Sequence, residues 1–319
     1  MKNDKHILVT GGAGFIGAHL VERLLQDGKT VVVIDDLSTG SRDNLRAVAQ
    51  HRNFRFIQTK ISAYTELPEL TADAEYIFHL AATVGVELVV KSALHVLEAS
   101  FNETQILLRA AAKNSTPILF TSTSEVYGKS AKAEFSEEDD LLIGPPTHSR
   151  WSYASAKLTD EFLALAYARE KKLPVTIARL FNTVGPRQTG RYGMVLPRFI
   201  AAAKAGEPLK VYGDGAQSRC FGFVHDVVEA LVRLQKCEAA RGEIFNIGGT
   251  EEVSILELAQ FVVATLGSKS KIELIPYDQA YAPGFDDMRR RKPCVEKLER
   301  CVNFKPQTTL REIIRLTAG

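Results

Sequence analysis

Short, unbroken apolar runs alternate with longer stretches of helical spacing through the first half of the chain. The runs are Ile7–Thr10, Val31–Asp35, Phe54–Gln58, Tyr76–Leu80 and Ile118–Ser122, followed later by Val175–Arg179. Runs this short and continuous, rich in β-branched and aromatic residues, predict strands of a buried parallel sheet. Between them the apolar positions change period: Leu20, Val21, Leu24 and Leu25 recur as they do on one face of a helix. Strand and helix in alternation predict an α/β fold, a doubly wound parallel sheet with helices on both faces. Ligands of such sheets bind outside the carboxyl ends of the strands.

The texture changes after Phe181-Asn182. Gly185, Pro186, Gly190, Gly193 and Pro197 predict loops over the cleft. Val195–Lys204 and Val224–Leu234 have helical spacing, and Ile244–Ile247 reads as a strand able to return to the main sheet. The division that follows is a sheet domain over residues 1–180 and a smaller mixed α/β lobe over 181–319 that holds the substrate, with part of 213–247 returning to the first domain. No internal repeat or low-complexity tract interrupts it.

Composition narrows the partners. The chain has 319 residues, 45% hydrophobic and 24% charged, with a net charge of +2. These are ordinary globular values, and no basic stripe recommends nucleic acid or an anionic membrane. The N-terminal Met1-Lys2-Asn3-Asp4-Lys5-His6 is polar, with no leader pattern, and no apolar run is long enough to span a bilayer. Cys220, Cys237, Cys294 and Cys301 are scattered without ligand spacing, so reduced thiols in a cytoplasmic protein are expected and a metal site is not.

The first chemical signal is Gly11-Gly12-Ala13-Gly14-Phe15-Ile16-Gly17, set between the first apolar run and the first helical pattern. A tight glycine turn that leads into a helix N-terminus presents backbone N–H groups and the helix dipole to a pyrophosphate. The second run ends in Asp35-Asp36. An acidic residue about 20 positions beyond such glycines accepts hydrogen bonds from the adenosine ribose and repels a 2′-phosphate, which selects NAD over NADP.

The second signal is Tyr153 and Lys157, which share a helix face in Trp151-Ser152-Tyr153-Ala154-Ser155-Ala156-Lys157. A free phenol has a pKa of about 10, too high for a base at neutral pH. A nearby ammonium favours the phenolate, and a drop of ~3 units corresponds to ~4 kcal/mol. With Thr121-Ser122-Thr123-Ser124-Glu125 upstream, the pair predicts removal of a proton from an alcohol.

Taken with Arg179–Arg187 and Val211-Tyr212-Gly213-Asp214-Gly215, these motifs resemble, in order and over essentially the whole chain, the extended short-chain dehydrogenase/reductases that modify nucleotide sugars. The resemblance implies a Rossmann-type fold and NAD that stays bound and is recycled. Tyr153 takes the sugar 4-hydroxyl proton, Lys157 assists it, and Thr123 steadies the 4-oxygen. It implies that Gly11, Gly14, Phe15, Ile16, Gly17, Asp35, Asp36, Ser38, Ile61, Leu80, Ala81, Ala82, Ser100 and Thr121 line the cofactor, with Tyr153 and Lys157. It places Thr83, Asn182, Arg191, Val195, Lys210, Tyr212 and Arg219 on the nucleotide sugar, Arg219 gripping the diphosphate as a bidentate guanidinium can.

Within that family, Ser124-Glu125 and Arg291-Lys292-Pro293 resemble the UDP-glucuronate decarboxylases, with Arg291 near the sugar carboxylate and Arg289 and Arg290 on a solvated face. The implied reaction is loss of carbon dioxide from a 4-keto uronate, with Glu125 or Arg291 supplying a proton. Epimerisation at carbon 4, 4,6-dehydration and a catalytically silent NAD sensor are the alternatives. Two positions depart from the family: Ser100 stands for an asparagine, and Lys60 for an aspartate near the adenine. The family also implies a homodimer through helices at Leu97–Lys113 and Ser152–Glu170. Ile106, Leu107, Phe162, Leu163 and Leu165 would serve either that contact or the interior.

Overall fold

The computed structural model describes residues 5–82, 92–190, 194–276 and 288–319. In chain order the first half comprises β1 (His6–Thr10), α1 (Phe15–Gln26), β2 (Val31–Asp35), β3 (Phe54–Gln58), α2 (Leu67–Ala72), β4 (Ala74–His79), α3 (Ala93–Asn114), β5 (Ile118–Thr123), α4 (Trp151–Lys171) and β6 (Val175–Leu180). The second half comprises β7 (Thr183–Val184), α5 (Val195–Ala205), β8 (Leu209–Tyr212), β9 (Ser218–Cys220), β10 (Gly222–Phe223), α6 (Val224–Lys236), β11 (Ile244–Ile247), β12 (Glu252–Ser254), α7 (Ile255–Leu266), β13 (Ile272–Ile275), α8 (Glu296–Val302) and α9 (Leu310–Ala318).

Seven strands form one parallel sheet in the order β11-β6-β5-β4-β1-β2-β3. The order reverses between β1 and β4, which opens a crevice at their carboxyl ends. Alternation along the strands builds a core on each face. Ile7, Val9, Val31 and Val33 pack with Leu20 and Leu24 of α1 and Val227 and Leu231 of α6. Their neighbours Leu8, Val32 and Ile34 pack on the opposite face with Leu107 and Leu108 of α3 and Ala164 of α4. Leu107 is therefore interior, whereas Phe162 is 64% exposed.

A third core, with Leu196, Phe199, Leu209, Val211, Leu258 and Ile314, joins α5, α7, α9 and β8 into the smaller lobe. The helices α7 and α9 each start with a reciprocal capping box, Ser254 with Glu257 and Thr309 with Glu312. The strand β11 pairs with β6 at the edge of the main sheet, so the second half of the chain closes the first half's sheet. Several boundaries differ from the apolar runs, most by one residue, and two by more. β4 begins at Ala74 and ends at His79, and α6 extends to Lys236. The Leu80 N–H makes the last rung of the β1–β4 ladder, to the Thr10 carbonyl 3.0 Å away, and the chain turns into the crevice wall directly after it.

Candidate active site

The glycine turn lies at the carboxyl end of β1. Gly11 has φ of 72°, and a Cβ there would stand 2.6 Å from the Ala81 amide nitrogen; one on Gly17 would run into the Gly11 carbonyl oxygen. Only glycine lets β1, the α1 entrance and the Leu80-Ala81 turn approach so closely. Gly14 caps α1 in an extended conformation with no side-chain hydrogen bond, and no acidic residue sits in the first turn of Phe15, Ile16 and Gly17. That combination suits an anion at the helix N-terminus.

Asp35 ends β2 beside this turn and is buried. Its two oxygens accept the Ala13 N–H at 2.9 Å and the Leu37 N–H at 2.8 Å. A carboxylate has about four acceptor sites, so two remain for ribose hydroxyls. Burial raises its pKa, against those two N–H bonds. Asp36 instead accepts the Ser38 N–H at 2.9 Å, closing a local turn. Ile61 is buried beyond β3. Leu80, Ala81 and Ala82 follow β4, where the Ala81 N–H reaches Thr10 Oγ1 at 3.4 Å. On β5, Thr121 Oγ1 donates to the His79 carbonyl at 3.1 Å. The glycine cradle and the half-used Asp35 carboxylate fit NAD.

The residues expected to move the alcohol proton come from α4 and β5. Tyr153 and Lys157 project from the first turns of α4, and Thr123 closes β5. Lys157 is buried; its Nζ donates to the Thr121 carbonyl at 3.2 Å and lies 4.5 Å from the Phe120 ring centre. The phenol is not lowered as the helix spacing suggested. Burial, with the Glu125 charge, pushes Tyr153 above its ordinary value, and a hydrogen bond with Thr123 works the other way. The ammonium is engaged by the Thr121 carbonyl, and in the protein alone the carboxylate of Glu125 is the stronger influence on the phenol.

After Thr123 the chain makes a short 3-10 turn over Ser124–Tyr127, which buries Ser124 and projects Glu125. Glu125 is gripped from two sides: Arg291 Nη1 donates to Oε1 at 2.5 Å, and Arg150 Nη2 donates to Oε2 at 3.2 Å. Burial works to raise the Glu125 carboxyl, but the charges of Arg291, Arg150 and Arg219 outweigh it and hold it below the usual range. Glu125 is thus ionised near neutrality. A carboxylate held in that state can accept hydrogen bonds and orient water. Arg291 reaches it because the Arg-Lys-Pro segment is bound to the loop before it: the Phe135 N–H donates to the Lys292 carbonyl, and the Cys294 N–H to the Phe135 carbonyl, both at 2.8 Å. Arg289 and Arg290 are exposed, and Arg290 pairs with Glu252.

Other expected residues scatter around this centre. Asn182, with φ of 28°, donates from Nδ2 to the Cys220 carbonyl at 2.8 Å and so joins the β6 exit to β9. Arg219 is buried and donates to the Ser218 carbonyl at 2.8 Å. Val195 opens α5, and Tyr212 ends β8. Lys210 points outward on β8, because alternation along that strand buries Leu209 and Val211. Ser100 donates to Asp160 at 2.6 Å. Thr83 and Arg191 lie outside the described residues.

Two arginines escaped the sequence reading. Arg150 stands three positions before Tyr153, and that spacing on a helix was a usable signal; it also lies over the Trp151 ring at 5.3 Å. Arg198, one turn into α5, donates to the Tyr212 hydroxyl at 2.5 Å and lies 5.1 Å from its ring centre.

Comparison with known proteins agrees with this geometry. Residues 7–248 match the model of the NAD dependent epimerase/dehydratase family. The chain belongs to that family. It is an NAD-dependent nucleotide-sugar enzyme. It is 41% identical to a UDP-N-acetyl-alpha-D-glucosaminuronate decarboxylase of Bacillus cytotoxicus, over 98% of this chain and 96% of that protein. It is 34% identical to UDP-glucuronic acid decarboxylase 2 of Arabidopsis thaliana, over 96% of this chain and 66% of that longer protein. Among solved structures, a UDP-glucuronic acid 4-epimerase of Bacillus cereus in complex with UDP-glucuronic acid and NAD superposes with a TM-score of 0.88 at 28% identity, covering 98% of each chain. Among the described residues no helix is long and apolar enough to cross a membrane.

Proposed function

We propose that this enzyme decarboxylates a UDP-activated hexuronate after oxidation at sugar carbon 4, and releases a UDP-pentose or its 4-keto form. The observation that carries the reading is the Glu125 site, where Arg291, Arg150 and Arg219 bring three positive charges to one carboxylate. The surplus of positive charge suits a substrate that carries a carboxylate of its own. Bound NAD supplies a two-electron acceptor and the positive charge of its oxidised ring. Tyr153 takes the 4-hydroxyl proton, with Thr123 holding the oxygen and Lys157 favouring the phenolate. A ketone at carbon 4 is β to the carboxyl carbon, so loss of carbon dioxide leaves an enolate. Tyr153 and Thr123, as donors already in place, stabilise that developing charge. The enolate must then gain a proton at carbon 5, and Glu125, held ionised, orients the water through which that proton arrives.

The 2-acetamido sugar named for the Bacillus cytotoxicus relative is the first substrate to test, because identity to that protein is higher than to the glucuronate decarboxylases. UDP-glucuronate is the second. Product masses decide the matter. Loss of 44 Da, the mass of carbon dioxide, supports the proposal, as does loss of about 46 Da where the product leaves as the 4-keto form with its two hydrogens left on the cofactor. Conversion at unchanged mass establishes 4-epimerisation and defeats it.

We also propose that the enzyme is a homodimer. On α3, Leu94 is 68% exposed, and Leu97 and Phe101 follow it at one-turn spacing; Phe162 on α4 is also exposed. A helix face of this kind suits burial against a second copy. The free thiols fit a cytoplasmic location.

A further inference from the structure

The interior behind Lys157 is charged. Asp160 sits one turn further along α4 and is fully buried, as Lys157 nearly is. The helix α3 supplies the hydroxyl that holds it: Ser100 Oγ donates to Asp160 Oδ2 at 2.6 Å. One turn beyond Ser100, Thr104 Oγ1 lies 3.2 Å from His79 Nε2 on β4, whose Nδ1 lies 2.7 Å from Thr10 Oγ1. A buried carboxylate without a counter-charge is costly.

Among the described groups Asp160 is the leading negative charge acting on Lys157, with Glu161 the lesser. Glu161 also lies on α4, but Arg179 of β6 binds it at 2.8 Å. His79 is neutral, because burial and the Lys157 charge push it down to about 3. Glu125, beyond Tyr153, is held by its arginines. From β5 the Thr121 carbonyl accepts an Nζ–H, and the Phe120 ring packs against it. Burial pushes Asp160 up and Lys157 down, and the leading influence opposing it on each is the charge of the other.

We propose that Asp160 is a positioning residue: its buried carboxylate is the counter-charge that keeps Lys157 an ammonium beside Tyr153, and Ser100 fixes where that carboxylate points. The inference rests on Tyr153 being the base of the NAD-dependent oxidation and is independent of which sugar is oxidised. It also gives Ser100, a departure from the family pattern, a partner of its own.

The test is Asp160→Asn, which keeps the shape and the Ser100 contact and removes the charge. Without Asp160 the Lys157 ammonium is lost at lower pH, and Tyr153, relieved of a negative neighbour, ionises at lower pH. Both limbs of the pH profile of kcat should move ~1 unit toward acid, with KM within roughly twofold. A merely structural role would lower the height of the profile without translating it. A second readout needs no sugar: tyrosinate absorbance of the isolated protein, referred to a Tyr153→Phe background, should titrate at lower pH in the variant. Failure of the substrate assignment would remove turnover from the wild type and leave this titration intact. Asp160→Ser is read in the same way where Asp160→Asn does not fold. Unchanged profile and titration positions in the folded variant would show that Asp160 is protonated, since asparagine mimics the neutral acid, and would overturn the proposal.

Discussion

Removal of Arg150 tests how far Glu125 depends on its arginine grip. Arg150 Nη2 stands 3.2 Å from Glu125 Oε2, while Arg291 holds the other oxygen at 2.5 Å. At an effective dielectric constant of about 20, a unit charge pair at that first distance is worth ~5 kcal/mol before desolvation and relaxation are subtracted. Arg291 remains in Arg150→Ala and Arg219 still contributes, so we expect only part of this to appear, as a rise in the Glu125 pKa. A carboxylate whose pKa is depressed in the folded protein is ionised above that pKa and is lost as pH falls through it. The acid limb of turnover should therefore move to higher pH in Arg150→Ala. The freed carboxylate also loses its orientation, and a displacement of this kind lowers kcat by ~10²-fold. The assay is product formation from the UDP-hexuronate substrate, followed by mass across a pH series. An acid limb in its original place, with kcat within about twofold, would refute the reasoning. The Arg150 contact would then be a by-product of its stacking on Trp151.

Two further outcomes follow from packing. The Arg179–Glu161 pair is buried on both sides, so Glu161→Ala leaves an uncompensated guanidinium and should cost ~3–5 kcal/mol in urea unfolding; a loss below about 1 kcal/mol would mean that water or another acceptor replaces the carboxylate. Phe162→Asp, on the exposed face of α4, tests the proposed homodimer: light scattering should show a dimer for the parent protein and a monomer for the variant, with the circular dichroism spectrum unchanged, and a variant that is dimeric like its parent would place the contact elsewhere.

The strands of the main sheet were legible because fully buried parallel strands are written as continuous apolar runs, and their ends follow closely from where those runs stop. The glycine cradle and Asp35 were legible for a related reason: each is a local demand, a turn that excludes Cβ or an acid at a strand end. The pair Tyr153 and Lys157 could be read as a helix spacing. What that spacing could not reveal was the electrostatic outcome. The Tyr153 pKa depends on burial and on Glu125, which is brought close by a separate strand and turn.

The rest was decided by contacts between distant segments. Glu125 and Arg291 meet across 166 positions because a backbone pairing at Phe135 carries the Arg-Lys-Pro segment inward. Arg150 joins them only once α4 is docked on β5. Ser100 read as a defect until α3 packed on α4 and gave its hydroxyl the Asp160 carboxylate. Local sequence determined which elements form and where a dinucleotide binds, because those depend on periodicity and on short turns. Tertiary structure alone decided which charges share a buried space, and that sets the protonation states on which the chemistry depends.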